Sequence, residues 1–120
     1  MAKLDHLAIV VGNYRASRDW YVQHLGLKVE FEIPERKTAA LQDDSGLTLF
    51  VSESEERPAA RSCTLYFQVA SVTATHRELT ARGVRFVHEP RKEYWGYGTE
   101  LLDPDGYAIR LWDEASIRQG

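Results

Sequence analysis

Cys63 is the only cysteine in this sequence, which excludes an internal disulfide and a zinc site built from thiolates. No apolar run approaches the roughly 20 residues a membrane-spanning helix needs, so no membrane partner is expected. The opening residues, Met1-Ala2-Lys3-Leu4-Asp5, lack the basic-then-apolar layout of a secretion signal, and a cytoplasmic location is the expectation. With 15 Lys and Arg against 18 Asp and Glu, the net charge is −3 and no basic stripe exists. That argues against a nucleic-acid partner. A Gly-rich phosphate loop and a nucleophile elbow are also missing, and no cofactor is expected.

What is there suits a globular chain. At 120 residues and 43% apolar content it can bury a real core as a single domain, residues 1–120. Residues 4–11 form a β-rich run broken by His6. Gly12-Asn13 turns the chain, Asn13 suits an N-cap, and Ala16, Trp20, Tyr21 and Leu25 at three-to-four spacing predict a helix over 14–25, ended by Gly26. Strands follow at 27–33, 37–42 and 47–52, separated by Pro34-Glu35-Arg36 and Asp43-Asp44-Ser45-Gly46. A charged stretch with Pro58 reads as a linker at 54–61. The plan then restarts with a strand at 64–69, Ser71 as N-cap, a helix over 72–82 stopped by Gly83, and a strand at 84–88. Two more strands, 99–102 and 107–112, flank the turn Asp103-Pro104-Asp105-Gly106, where Pro presets φ and Gly tolerates positive φ.

The halves align by type. Leu25-Gly26-Leu27-Lys28-Val29 matches Arg82-Gly83-Val84-Arg85-Phe86 at an offset of 57, and Gly46 to Val51 matches Gly106 to Leu111 at an offset of 60. Each half therefore reads strand–helix–strand–strand–strand, and an α+β fold of two βαβββ modules is expected, module one at about 3–53 and module two at about 62–114. Alternation along the strands puts Ile109 and Leu111 on a helix-covered face. Ala108, Arg110 and Trp112 then face the other way, together with Thr48, Phe50 and Ser52 and with Thr64, Tyr66 and Gln68.

The paired modules, the Asp-Pro-Asp-Gly turn before the last strand and the His in the first strand resemble the vicinal oxygen chelate superfamily, which includes glyoxalase I, extradiol dioxygenases and bleomycin resistance proteins. The resemblance covers nearly the whole chain. It implies a cupped mixed sheet enclosing a cleft, and a homodimer with pockets at or near its interface. Metal-dependent members hold a divalent ion at four equivalent strand positions. Here these are His6, Phe50 (or Leu49 with a one-residue shift), Thr64 and Arg110. Phe and Leu cannot ligate, Thr is a poor neutral ligand and Arg repels a cation, so neither a metal site nor a catalytic residue of the family type is expected. Within the superfamily the chain looks most like the bleomycin resistance proteins, on Leu47-Thr48-Leu49-Phe50-Val51-Ser52, Tyr66-Phe67-Gln68-Val69 and Tyr94-Trp95-Gly96-Tyr97-Gly98. In that family a loop Trp, matching Trp95, helps to stack a drug's flat tail.

The ligand-binding candidates are thus His6, Phe50, Thr64, Tyr66, Gln68, Trp95, Tyr97, Arg110 and Trp112. Aromatic walls with a few converging polar groups are a common recipe for a small-molecule site. Each has a plainer reading. His6 is a hydrogen-bonded packing residue or a ligand-contacting general base, with no carboxylate evidently placed to orient its ring. Trp95 offers a broad stacking face or folds back onto the sheet edge. Arg110 needs a partner, either an anionic ligand group or an internal carboxylate such as Glu100. Cys63 reads as a small packing residue, and His24 and His76 as solvated. The leading expectation is metal-independent binding of a small aromatic compound, cationic drugs included, by sequestration as in antibiotic resistance. The alternatives are a glyoxalase- or dioxygenase-type enzyme using a non-standard metal site or His6 as base, and a ligand-sensing or purely dimeric interaction module.

Overall fold

The computed structural model describes residues 3–56 and 63–115, so residues 57–61 of the expected linker lie outside it. The chain forms two compact units, residues 1–59 and 60–120. Module one runs β1 (His6–Val11), α1 (Tyr14–Leu25), β2 (Lys28–Ile33), a 3-10 turn (Pro34–Arg36), β3 (Thr38–Gln42) and β4 (Thr48–Glu53). Module two runs β5 (Thr64–Gln68), α2 (Val72–Ala81), β6 (Phe86–Glu93), β7 (Gly96–Leu102) and β8 (Ala108–Trp112). Strand orders are β1-β4-β3-β2 and β5-β8-β7-β6, with β1 and β4, and β5 and β8, parallel and the other pairs antiparallel. These are two βαβββ units of the same topology, as the repeat predicts.

The repeat extends to the helix ends. Asn13 accepts a side-chain hydrogen bond from the Ala16 amide, and Ser71 from that of Ala74. A carboxylate from just beyond or at the end of the fourth strand then takes the first helical amide: Glu53 from Tyr14 at 3.1 Å, and Asp113 from Val72 at 2.6 Å. The helices need these acceptors because their first amides have no intrahelical partner. The turns repeat too. Asp43 accepts from the amides of Ser45 and Leu47, and Asp103 from those of Asp105 and Tyr107.

Each helix covers one face of its own sheet. In module one that face buries Ile9, Val11, Ala39, Leu41, Leu49 and Val51; in module two it buries Leu65, Thr99, Leu101, Ile109 and Leu111. The helix stripe of module one differs from the expectation. Tyr14, Ser17 and Tyr21 are buried, while Ala16 is exposed and Trp20 half-buried. The same period is met by a tyrosine and a serine, which an apolar count passes over.

The strand boundaries differ most around residues 86–98. The strand expected to end at His88 continues to Glu93, and Gly96 to Gly98 belong to β7 rather than to a loop. Only Tyr94 and Trp95 remain as the turn, with Glu93 paired to Gly96. β6 is the outer strand of its sheet and its register shifts at His88–Arg91, so Pro90 and the charges are tolerated where a central strand would reject them. Lys37, expected to open β3, instead closes the 3-10 turn at φ 50°.

Candidate functional site

On the face of module two turned away from α2, registration places one residue from each strand in a row: Tyr66 beside Arg110, Arg110 beside Glu100, Glu100 beside His88. The next row is Gln68, Trp112, Gly98 and Arg91. Gly98 leaves a vacancy in it. A Cβ there would run into the Leu111 carbonyl and into Cη2 and Cζ3 of Trp95, so the indole of the β6–β7 turn folds back over the space a side chain would fill. The Trp95 indole thus lies on the sheet beside Arg110.

Arg110 is the centre of this cluster. Its Nε donates to Glu100 Oε1 at 2.8 Å and its Nη1 to the Tyr66 hydroxyl at 2.5 Å. The guanidinium carbon stands 5.4 Å from the Tyr66 ring centre and 5.3 Å from that of Trp95, and the two rings meet edge-to-face at 5.7 Å. The Glu100 carboxylate above all, with the Tyr94 and Tyr66 hydroxyls, raises the Arg110 pKa against the opposing effect of burial. Glu100 is the internal carboxylate that the sequence offers as partner.

Strand pairing adds residues the sequence reading did not single out. Glu93, held below the usual carboxylate range by hydrogen bonding to Arg91 against some desolvation, also feels the charges of His88 and Arg110. His88 contacts the Glu89 carbonyl through Nδ1 at 2.7 Å and turns Nε2 toward Glu93 at 3.9 Å. The extension of β6 brings Arg91 and Glu93 onto this face, and a register shift between Phe86 and His88 turns His88 to it. Thr64, Gln68 and Trp112 share the face as expected. Tyr97 does not. It pairs with Lys92 and stands on the side of α2, where it lines a separate groove, because it is one residue out of step with Gly98 and Glu100.

In module one, the corresponding face carries His6, Phe50 and Phe31, which a β-bulge at Glu30 turns to that side. Phe50 meets the His6 ring at 5.3 Å and Phe31 at 5.8 Å, both edge-to-face. Glu30 accepts from the Thr48 hydroxyl at 2.9 Å. His6 Nδ1 lies 2.7 Å from Asp5 Oδ1. Strict alternation would send Asp5 to the opposite side, but it precedes β1 and is free of the pleat.

The residues at the family's metal positions do not fit a divalent ion. Leu49 is buried on the helix side, which leaves Phe50 as the second position. In module two, Thr64 is a neutral hydroxyl and Arg110 a cation already bound to Glu100. Among the described residues no three His, Cys, Asp or Glu side chains gather as a ligand set.

Two sheets of the same strand order, each with its own helix, define a protein of the βαβββ duplicated class. The chain belongs to the Glyoxalase/Bleomycin resistance protein/Dioxygenase superfamily, whose family model matches residues 3–111. No curated protein matches the sequence. Among solved structures, a possible glyoxalase from Bacillus cereus is 19% identical with a TM-score of 0.79, over 93% of this chain and 99% of that one. Protein ATC0852 from Agrobacterium tumefaciens is 24% identical with a TM-score of 0.75, over 94% and 98%. A glyoxalase/bleomycin resistance protein/dioxygenase from Nocardioides is 20% identical with a TM-score of 0.74, over 95% and 85%. At these identities the likeness is one of fold.

Proposed function

We propose that this protein binds a small planar aromatic molecule on the Tyr66–Trp95–Arg110 face of module two and sequesters it without metal and without chemical change. The observation that carries this reading is Arg110, set against both aromatic rings and neutralised by Glu100. A guanidinium fixed in this way stiffens the rings beside it, so little side-chain freedom is lost when a flat ligand stacks. Because Glu100 cancels its charge, the platform admits neutral and cationic aromatic compounds alike. A second copy of the chain as partner, giving a homodimer, belongs to the same proposal.

The test is titration of chelator-treated protein with bleomycin-type and other flat aromatic drugs, followed by Trp fluorescence and calorimetry. Saturable binding near one ligand per chain, insensitive to chelator and weakened about tenfold or more in Trp95→Ala, is the expected outcome. A stoichiometric divalent ion in the purified protein, with no drug binding, would refute it.

The Asp5–His6 pair favours a second reading, an enzyme in which His6 is the general base. A carboxylate on Nδ1 holds the ring in the tautomer that leaves Nε2 free to accept a proton. Turnover of an α-ketoaldehyde–thiol adduct or a catechol that disappears in His6→Asn would establish this reading in place of the first.

A further inference from the structure

Module two carries a groove of about 410 Å3 on the other side of its sheet, away from the Arg110 cluster. From α2 come Thr73, His76, Arg77 and Thr80, a stripe at i, i+3, i+4 and i+7 on one side of the helix. Glu89 and Pro90 of β6 and Tyr97 of β7 form the opposite wall. The His76 ring, expected to be simply solvated, rests edge-on against Phe86 at 4.4 Å. α2 turns Val72 and Leu79 into the core, and this stripe of hydroxyls, an imidazole and a guanidinium runs along its flank, with Thr73, Arg77 and Thr80 exposed and His76 half-buried.

The duplication supplies an internal comparison. The caps Asn13 and Ser71 set a helix offset of 58, which makes Arg18 the counterpart of His76. The strand offset of 57 makes Glu32 the counterpart of Glu89. In module one, Arg18 Nη1 donates to Glu32 Oε1 at 2.7 Å and Nε to Asp19 Oδ1 at 2.8 Å, clamping helix to strand. In module two the strand carboxylate is kept, but the shorter His76 replaces the arginine, and the cation moves one residue on to Arg77. Among the described residues no ion pair joins Arg77 to Glu89, and neither side chain has another charged partner. Two opposite charges face one groove unbridged.

We infer that this groove binds a small zwitterion of the basic amino acid type. Its guanidinium or ammonium group sits on Glu89, where Arg18 sits on Glu32 in module one, and its carboxylate lies on Arg77 with the Thr73 and Thr80 hydroxyls as further donors. This site is separate from the aromatic platform and does not depend on it.

The experiment is an NMR titration of the full chain with L-arginine. Saturable shifts of the Thr73, His76, Arg77 and Tyr97 amides are expected. Agmatine, which lacks the carboxylate, and the variants Glu89→Gln and Arg77→Gln should each bind about tenfold more weakly or worse. His76→Arg rebuilds the module-one clamp within the groove and is expected to abolish binding while the amide spectrum elsewhere is retained. The absence of saturable shifts with L-arginine overturns the proposal, as does unchanged affinity in His76→Arg or Glu89→Gln.

Discussion

Asp113→Ala should cost about 3 kcal/mol of stability, and Glu53→Ala, the same change at the equivalent position of module one, about 1 kcal/mol. Asp113 is 1% exposed and its Oδ2 accepts the Val72 amide at 2.6 Å. A hydrogen bond to a charged acceptor contributes roughly 1.5–3 kcal/mol, and a carboxylate at a partly buried helix N-terminus adds up to about 2. Removing it also strands an amide where water has little access. Glu53 makes the longer bond to Tyr14, its side chain is 26% exposed, and it is shared with Lys37 at 3.5 Å. Water replaces it at small cost. With a urea dependence of about 1.5 kcal/mol per molar, the midpoints should fall by about 2 M and about 0.7 M. Trp20 in module one and Trp95 and Trp112 in module two report the transitions, with far-UV circular dichroism for the helices. Asp113→Asn keeps an acceptor and loses the charge, so it should fall between wild type and Asp113→Ala. Equal losses at the two positions, or a larger one at Glu53, would refute the claim that burial sets the strength of this cap.

Gly98→Ala should destabilise by about 1–3 kcal/mol and alter the near-ultraviolet signal of Trp95, because the added methyl meets both the Leu111 carbonyl and the indole; an unchanged spectrum would mean that the indole is not seated there. Asp43→Ala should destabilise near pH 7 by an amount that shrinks on acidification. Burial pushes the Asp43 carboxyl up, but the Ser45 hydroxyl and the amides of Leu47, Ser45 and Gly46 outweigh it and hold the pKa below the ordinary value. The stabilisation is therefore complete above the usual carboxylate range and is lost as pH falls through the lower folded value, so wild type and variant should converge in acid urea titrations.

Short-range pattern was enough for most of the architecture. Caps, glycine stops and turn residues are local devices, so the helix over 14–25, the Asp-Pro-Asp-Gly turn and the repeat itself can be read from neighbours in the chain. Period-two alternation likewise sorts Tyr66, Arg110 and Trp112 from Leu65, Ile109 and Leu111 before any coordinates exist. Glu100 could be named as a partner for Arg110 because a cation on a sheet face calls for one nearby carboxylate.

Tertiary structure decided what depends on pairing. A strand at the sheet edge tolerates proline and charge, so β6 ran on to Glu93 through a stretch that local propensity reads as loop; the extension delivered Arg91 and Glu93 to the face of Arg110, and a register shift after Phe86 turned His88 to it. The same register set Tyr97 on the α2 side and the Trp95 indole over Gly98. A side chain's face depends on a count of residues from a hydrogen-bonded partner, and one bulge shifts that count for everything beyond it.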